Sequence, residues 1–498
     1  MAKIHPALKN REFWYKDIIL VANRLPDFER EEVDLTTHFT KKIILKTPIV
    51  SSPMDTVTES KMAILMALMG GIGVIHYNFL TIDEQMEEIK KVKKFMGGFV
   101  FEPVVLSPKH TIGDVYKINE KYGFFSVLIT KDGTLNSELV GIVTHRDVRY
   151  REDKTTKLED VMTKREKLIV AEKSKTVDKN NLQLAVKILR KHNLDTLPIV
   201  DKKGRVVALV TDSDIRKRQK FPLATVDENQ RLRVFIAVES RLKLAKERIK
   251  KAVKMDVDGI VIDASVVFKE QIEIAKFAKK NFPHLQVVLG NVDSGEMIKE
   301  ILKRAFNFCD AIRVGIGPGT ACITQQQLGV GRAQGSAILD CALTMKKLEK
   351  KYGFCPLIAD GGVKNPDILK KSEVWKPGDI SKALALGAQT VMIGSILAGL
   401  DEAPGEKEFD EKENKMVKKY RGMGSFEAME KRGAFRYGIE KTKIKVPEGK
   451  VMKVPYRGSG YEFLPQLIAG LKQSLQKLGF KNIKELQKFA DIKPINFC

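Results

Sequence analysis

The stretch "DAIRVGIGPGTACITQ", residues 310–325, governs how the rest of the chain is read. A short apolar run ends in a turn where three glycines and a proline surround one thiol, Cys322. Glycines let the main chain approach a bound group closely and turn its amides or carbonyls into a concavity. The same grammar recurs in "DGIVIDAS" (258–265), "LQVVLGNVDSGE" (285–296), "CPLIADGGV" (355–363) and "AQTVMIGS" (388–395). Nearer the start stand "TPIVSSPMDT" (47–56) and "GIGVIHYN" (71–78). Apolar strands alternating with amphipathic helices predict a parallel sheet covered by helices. This many units predict an α/β fold, a (β/α)8 TIM barrel whose strand C-termini carry the chemistry. A doubly wound sheet is the alternative. However, no GxGxxG follows an early strand, and "GVGRAQG" (329–335) has the wrong spacing.

Composition narrows the class. Hydrophobic residues make up 43% of 498, enough for a packed core and too many for a disordered chain. No apolar run approaches the roughly 18 residues of a membrane span. The opening "MAKIHPALKNREFWYKD" lacks the apolar centre of a secretory signal. A soluble cytoplasmic protein is expected. The five cysteines, at 309, 322, 341, 355 and 498, are odd in number and form no CxxC pair. That pattern is neither a disulfide framework nor a zinc set. The net charge of +24 could attract anionic partners, yet the lysines are spread at helix-like spacings among apolar residues. Solvated helix faces account for them better than a nucleic-acid surface.

The middle of the chain is different. "LVGIVTHRDVRYR" (139–151) and "VVALVTDSDIRKR" (206–218) are two copies of one pattern, so Thr144 and Asp147 correspond to Thr211 and Asp214. A repeat of this length is a supersecondary unit used twice. Its Thr–x–x–Asp ending resembles the cystathionine-β-synthase (CBS) module, whose pairs bind adenine or guanine nucleotides. The resemblance implies that these four residues face ribose or phosphate. A helix cap would use the same residue types. The expected organisation is 1–101 as the first barrel segment, 102–222 as the tandem CBS regulatory insert and 223–498 as the second barrel segment. The last segment includes a flap at about 426–458.

A free cysteine is a weak nucleophile until its pKa is lowered or a base assists it. The loop alone names no reaction. In order along the chain, "SSPMDTVTE" (51–59), "RVGIGPGTACITQ" (313–325), "ADGGV" (359–363), "MIGS" (392–395) and "YRGMGS" (420–425) resemble the inosine monophosphate dehydrogenase family. The resemblance covers about residues 10–490, including the inserted module. It implies NAD-dependent oxidation of inosine 5'-monophosphate (IMP) to xanthosine 5'-monophosphate through a covalent thioimidate on Cys322. Thr324 would relay a proton. Arg436 and Tyr437, in "GAFRYGIEKTKIKVPEG" (433–449), match the flap's Arg-Tyr pair, with the arginine as base for water. Glu448 would contact the purine edge and pair with Thr324. Thr320, Gly362, Gly394, Ser395 and Tyr420 would hold the phosphate, and Asp360 the ribose. Met423 and Gly424 would hold the base edge, and Ser52 and Met54 would pack along the nucleotide. For the cofactor, Asp263, Ser265, Asn291, Arg313, Gly315 and Gly317 would line the NAD cleft. The main-chain oxygens of Gly317, Gly319 and Cys322 would bind potassium. A homotetramer or octamer is implied.

The chain departs from the family pattern twice. In "DASVVFKEQ" the bulky Val266, Val267 and Phe268 replace a Gly-containing polar turn beneath the nicotinamide, which predicts altered NAD seating. The chain stops at "FADIKPINFC", short of the tail that completes the family's cation site, which sets potassium activation in question. Two other functions compete. One is guanosine monophosphate (GMP) reductase, which shares the barrel, the cysteine and the threonine. The other is a nucleotide-sensing regulator with altered catalysis.

Overall fold

Eight short segments are almost wholly buried, which is why they read as mostly apolar runs. They are β1 (Ile49–Ser51), β2 (Ile72–Ile75), β3 (Phe235–Glu239), β4 (Gly259–Asp263), β5 (Gln286–Val292), β6 (Ala311–Val314), β7 (Leu357–Asp360) and β8 (Thr390–Ile393). The computed structural model describes residues 2–8, 11–101, 103–179, 181–267, 269–363, 377–430 and 446–495. In it the eight strands form one closed parallel barrel in chain order, with β8 pairing β1 and β2 pairing β3. The expected TIM barrel is therefore present.

The barrel interior is filled rather than hollow. Val50, Val74, Phe235, Val261, Val288, Ala311, Ile358 and Met392, drawn from all eight strands, form one buried cluster. The covering helices follow the sequence pattern: α1 (Ser60–Leu68), α2 (Ile82–Phe95), α3 (Leu242–Val253), α4 (Lys269–Asn281), α5 (Gly295–Ala305), α6 (Gln334–Tyr352) and α7 (Gly378–Ala385). Helix α3 shows how charge enters this core. Arg248 is fully buried and forms a two-pronged ion pair with Glu239, the last residue of β3, at 2.5 and 2.7 Å. Its third nitrogen donates to Gln85 Oε1 of α2 at 2.7 Å.

Two compact units divide the chain. One comprises 1–95, 223–227 and 232–498; the other comprises 96–222 and 228–231. Within the second unit, each half repeats strand–helix–strand–strand–helix. The first half runs Val105–Leu106, Ile112–Tyr122, Val127–Thr130, Leu139–Val143 and His145–Val148. The second runs Ala171–Glu172, Leu182–His192, Thr196–Val200, Val206–Thr211 and Asp212–Lys220. Thr144 and Thr211 each precede a helix, and each hydroxyl donates to its own Asp, Asp147 at 2.8 Å and Asp214 at 2.9 Å. These residues therefore act as helix caps in this structure.

In the first unit, a three-stranded antiparallel sheet follows the barrel: Lys407–Asp410, Lys415–Arg421 and Val451–Pro455. Part of the stretch assigned to the flap is thus a strand, and Phe426–Glu430 is helical. Arg436 and Tyr437 lie outside the described residues, as does Phe268. Among the described residues, no helix is long and apolar enough to cross a membrane.

Candidate active site

Cys322 sits on the loop between β6 and a short helical turn, Thr324–Leu328. Two glycines make this loop possible. Gly315 has φ +140°, and a Cβ there would lie 2.3 Å from the Asp360 carbonyl. Gly317 has φ +80°, and a Cβ there would lie 2.5 Å from the Gln325 side chain. Gln325 in turn donates to the carbonyls of Ile316 and Arg332, both at 2.9 Å, and so ties the start of the loop to the segment after the helical turn.

The thiol opens onto a solvent-facing pocket. Its wall includes Ser52, Met54, Asn291, Arg313, Gly315, Gly317, Gly319, Asp360, Tyr420, Met423 and Glu448. All but Glu448, which precedes the strand Val451–Pro455, come from the carboxyl ends of strands or from the segments that follow them. Cys322 Sγ lies 3.1 Å from Thr324 Oγ1, and Thr324 Oγ1 donates to Glu448 Oε2 at 2.7 Å. A hydroxyl has one proton. Once that proton points at the carboxylate, the oxygen can accept only from the thiol. The three groups therefore form a directed line from sulfur to carboxylate. Glu448 is fixed by its main chain, its amide donating to the Gly424 carbonyl at 3.0 Å and its carbonyl accepting from Ile323 at 2.9 Å.

Around this line the remaining residues take their places. Thr320 and Ser395 bring their hydroxyls within 3.4 Å of each other. The Tyr420 hydroxyl points at Met54 Sδ, 3.6 Å away, and stands 3.0 Å from where a Gly394 Cβ would be. Burial raises the Tyr420 pKa, and the nearby Asp360 and Cys322 add to that, so the phenol stays a neutral donor. Gly362 packs against Gln334 and Tyr15, which a Cβ would crowd at 2.9–3.2 Å. Met423 lines the pocket and also belongs to the barrel's buried cluster. Gly424 spends its carbonyl on the amides of Glu448 and Gly449, so that oxygen is not on offer to a ligand while the pairing holds.

On the opposite wall, Asn291 donates to Asp360 Oδ2 at 2.9 Å, and Arg313 Nε approaches the same oxygen at 3.4 Å. Arg313 Nε also donates to the Asn291 side-chain oxygen Oδ1, and Arg313 pairs with Asp263 at 2.7 Å. Asp263 is completely buried beneath this arginine, so in this structure it is the arginine's counter-charge rather than an open contact. Ser265 is half-buried in the turn after β4, where Val267 donates to the Asn291 carbonyl at 3.2 Å. The carbonyls of Gly317 and Cys322 accept no hydrogen bond from the described residues, while that of Gly319 takes the Cys322 amide at 2.9 Å.

One group beside the pocket escaped the sequence reading. Arg421 grips Asp55 through Nε at 3.0 Å and Nη2 at 2.6 Å, and Asn78 donates to the same carboxylate at 2.6 Å. Burial works to raise the Asp55 pKa, but Arg421, the nearby His76 and the Asn78 bond together outweigh it and hold the carboxyl below its usual range. Both residues lie inside motifs already singled out, "SSPMDTVTE" and "YRGMGS". Nothing in a linear sequence marks them as partners.

Residues 12–496 match the family described as the IMP dehydrogenase / GMP reductase domain.

The chain belongs to the IMP dehydrogenase / GMP reductase family.

Curated members similar to it are named inosine-5'-monophosphate dehydrogenase. The relative from Schizosaccharomyces pombe is 40% identical, the match covering 97% of this chain and 88% of that protein. The one from Aquifex aeolicus is 40% identical over 97% and 93%, and the one from Bacillus subtilis 38% over 96% and 91%. Among solved structures of the family, a cysteine-to-alanine variant of Trypanosoma brucei GMP reductase in complex with guanosine 5'-monophosphate superposes with a TM-score of 0.85. It shares 30% identity, with 99% of this chain and 97% of that chain covered. The same enzyme in complex with guanosine 5'-triphosphate gives a TM-score of 0.78 at 27% identity, covering 98% and 99%.

Proposed function

We propose that the pocket oxidises IMP to xanthosine monophosphate, with Cys322 forming the covalent bond. The observation that carries this reading is the line Cys322–Thr324–Glu448, whose two ends, Cys322 and Glu448, both face the pocket. The thiolate adds to carbon 2 of the purine, and the ring proceeds to a thioimidate as a hydride leaves. Bound NAD would supply the acceptor for that hydride. Asn291, Arg313, Gly315 and Gly317 would hold it, because they line the same pocket beside the sulfur. Water then attacks carbon 2, the carbon–sulfur bond breaks, and the thiol is restored as xanthosine monophosphate leaves. Covalent catalysis thus replaces one difficult substitution by two easier steps.

The remaining residues position the substrate. Asp360, aligned by Asn291, would accept from the ribose hydroxyls. Thr320, Ser395 and Tyr420 would donate to the phosphate beside the glycine turns at 362 and 394. Ser52 and Met54 would flank the nucleotide and Met423 its base. Glu448 would draw a proton from water through Thr324, a second route beside Arg436. The carbonyls of Gly317, Gly319 and Cys322 form a hard-oxygen set suited to potassium. The repeated unit would bind adenine or guanine nucleotides at Thr144, Asp147, Thr211 and Asp214, where the caps would have to share their polar groups with the ligand. A homotetramer or octamer is part of the same proposal.

A second reading, GMP reduction with NADPH, has the support of the full-length superposition on the trypanosomal reductase. Two parallel assays separate them. NADH formation from IMP is expected, and NADPH consumption with GMP as the sole activity would overturn the proposal. Thr324→Val should lower kcat by about ten- to a hundredfold with little change in KM, since it removes a proton relay. An unchanged kcat across the pH range would remove Thr324 from the mechanism.

A further inference from the structure

Three segments meet around the purine end of the pocket. One follows β1 and carries Ser52, Met54 and Asp55. A second follows β2 and carries Asn78. The third, residues 420–425, leaves the antiparallel sheet at Arg421 and carries Tyr420 and Met423. Arg421 joins the third to the first through its bidentate grip on Asp55, and Asn78 joins the second through the same carboxylate. The main chain adds a contact, the Arg421 amide donating to Thr56 Oγ1 at 3.2 Å. The arginine's remaining terminal nitrogen holds Glu427 at 3.0 Å, on the helical turn that follows. Segment 420–425 then reaches the catalytic line, because the Gly424 carbonyl receives the Glu448 amide.

The Asp55 side chain is 4% exposed and that of Arg421 14%. Such a pair gains Coulomb energy but loses hydration, and replacing it with apolar residues is often neutral for stability. Its effect is therefore geometric. A planar guanidinium that bonds to both carboxylate oxygens fixes distance and orientation together, which a lysine ammonium does not.

We propose that Arg421 and Asp55 are positioning residues that set the nucleotide-binding segment 420–425 at its working distance from Cys322. The inference rests on the purine-nucleotide reading of the pocket. Neither residue touches the reacting atoms; they act through Tyr420, Met423 and Gly424. The wall with Asn291, Arg313 and Gly315 is built separately on β5 and β6, where Asn291 donates to the Gly315 carbonyl and to Asp360 and Arg313 pairs with Asp263.

The test compares the full chain with Arg421→Lys and with the double variant Arg421→Met/Asp55→Leu. The lysine keeps the charge and loses the fork. The double variant removes both charges together, so no unpaired ion is left in the fold. Arg421→Lys is expected to raise KM for IMP about tenfold while KM for NAD stays within about twofold. The double variant is expected to keep the wild-type urea midpoint and still show the raised KM for IMP. An unchanged KM for IMP in both variants would overturn the inference. So would a parallel rise in both KM values together with a lowered urea midpoint, which is the mark of general loosening. If the wild-type chain forms no NADH from IMP, the proposed function fails by itself. The latch is then read from calorimetric binding of GMP, where the same tenfold weakening is expected and equal affinity overturns it.

Discussion

Cys322→Ala is expected to abolish NADH formation from IMP, lowering turnover by about 10⁵-fold, the order seen when a covalent nucleophile is removed. No second nucleophile in the pocket wall can take its place. The Thr324 hydroxyl, 3.1 Å from the sulfur, donates to Glu448, and Thr324 is not part of the pocket wall. The loop should survive the change. Its course is set by Gly315, Gly317 and the two bonds from Gln325, none of which involves the thiol. Affinity for IMP should therefore remain within a few-fold of wild type in a calorimetric titration. A variant retaining one part in a hundred of the wild-type rate would remove the sulfur from the chemistry.

Arg248→Ala is expected to have the largest effect on stability, a loss of about 3–5 kcal/mol. The arginine and Glu239 are both fully buried at the junction of α2, α3 and the end of β3. Truncation leaves the carboxylate in the barrel wall without its cation, and it also strands Gln85 Oε1. The double variant Arg248→Met/Glu239→Leu should recover most of that loss, since no uncompensated charge remains. Urea unfolding of the three chains measures both effects. Equal midpoints for Arg248→Ala and wild type would show that water reaches Glu239, contrary to its burial.

Both predictions depend on groups with very different visibility in the sequence. Cys322 was conspicuous because a glycine-rich turn beside a thiol is unusual composition for a strand end. Arg248 reads as one more basic residue in "KERIKKAVK" (246–254), where Glu247 and Lys250 on either side are exposed. Only the packing of α3 against the barrel turns that position inward. Asp263 shows the reverse case. The motif that contains it suggested an exposed cofactor contact, and the barrel instead closes Arg313 over it. Two strand positions separate the carboxylate of β4 from the guanidinium of β6, and no local pattern records that pairing.

The barrel was legible in the sequence, because strands covered on both faces read as mostly apolar runs that end near polar or glycine turns. The duplicated insert was legible too, since a repeated pattern of strand end and helix cap survives in residue identity. What the tertiary structure alone decided is which charges face each other: Arg421 with Asp55, Arg248 with Glu239, Arg313 with Asp263 and Asp360. An ion pair has no periodicity, and its partners can stand 366 residues apart, as Arg421 and Asp55 do. Only closure of the barrel, which fixes the order and register of eight strands, brings such side chains within reach.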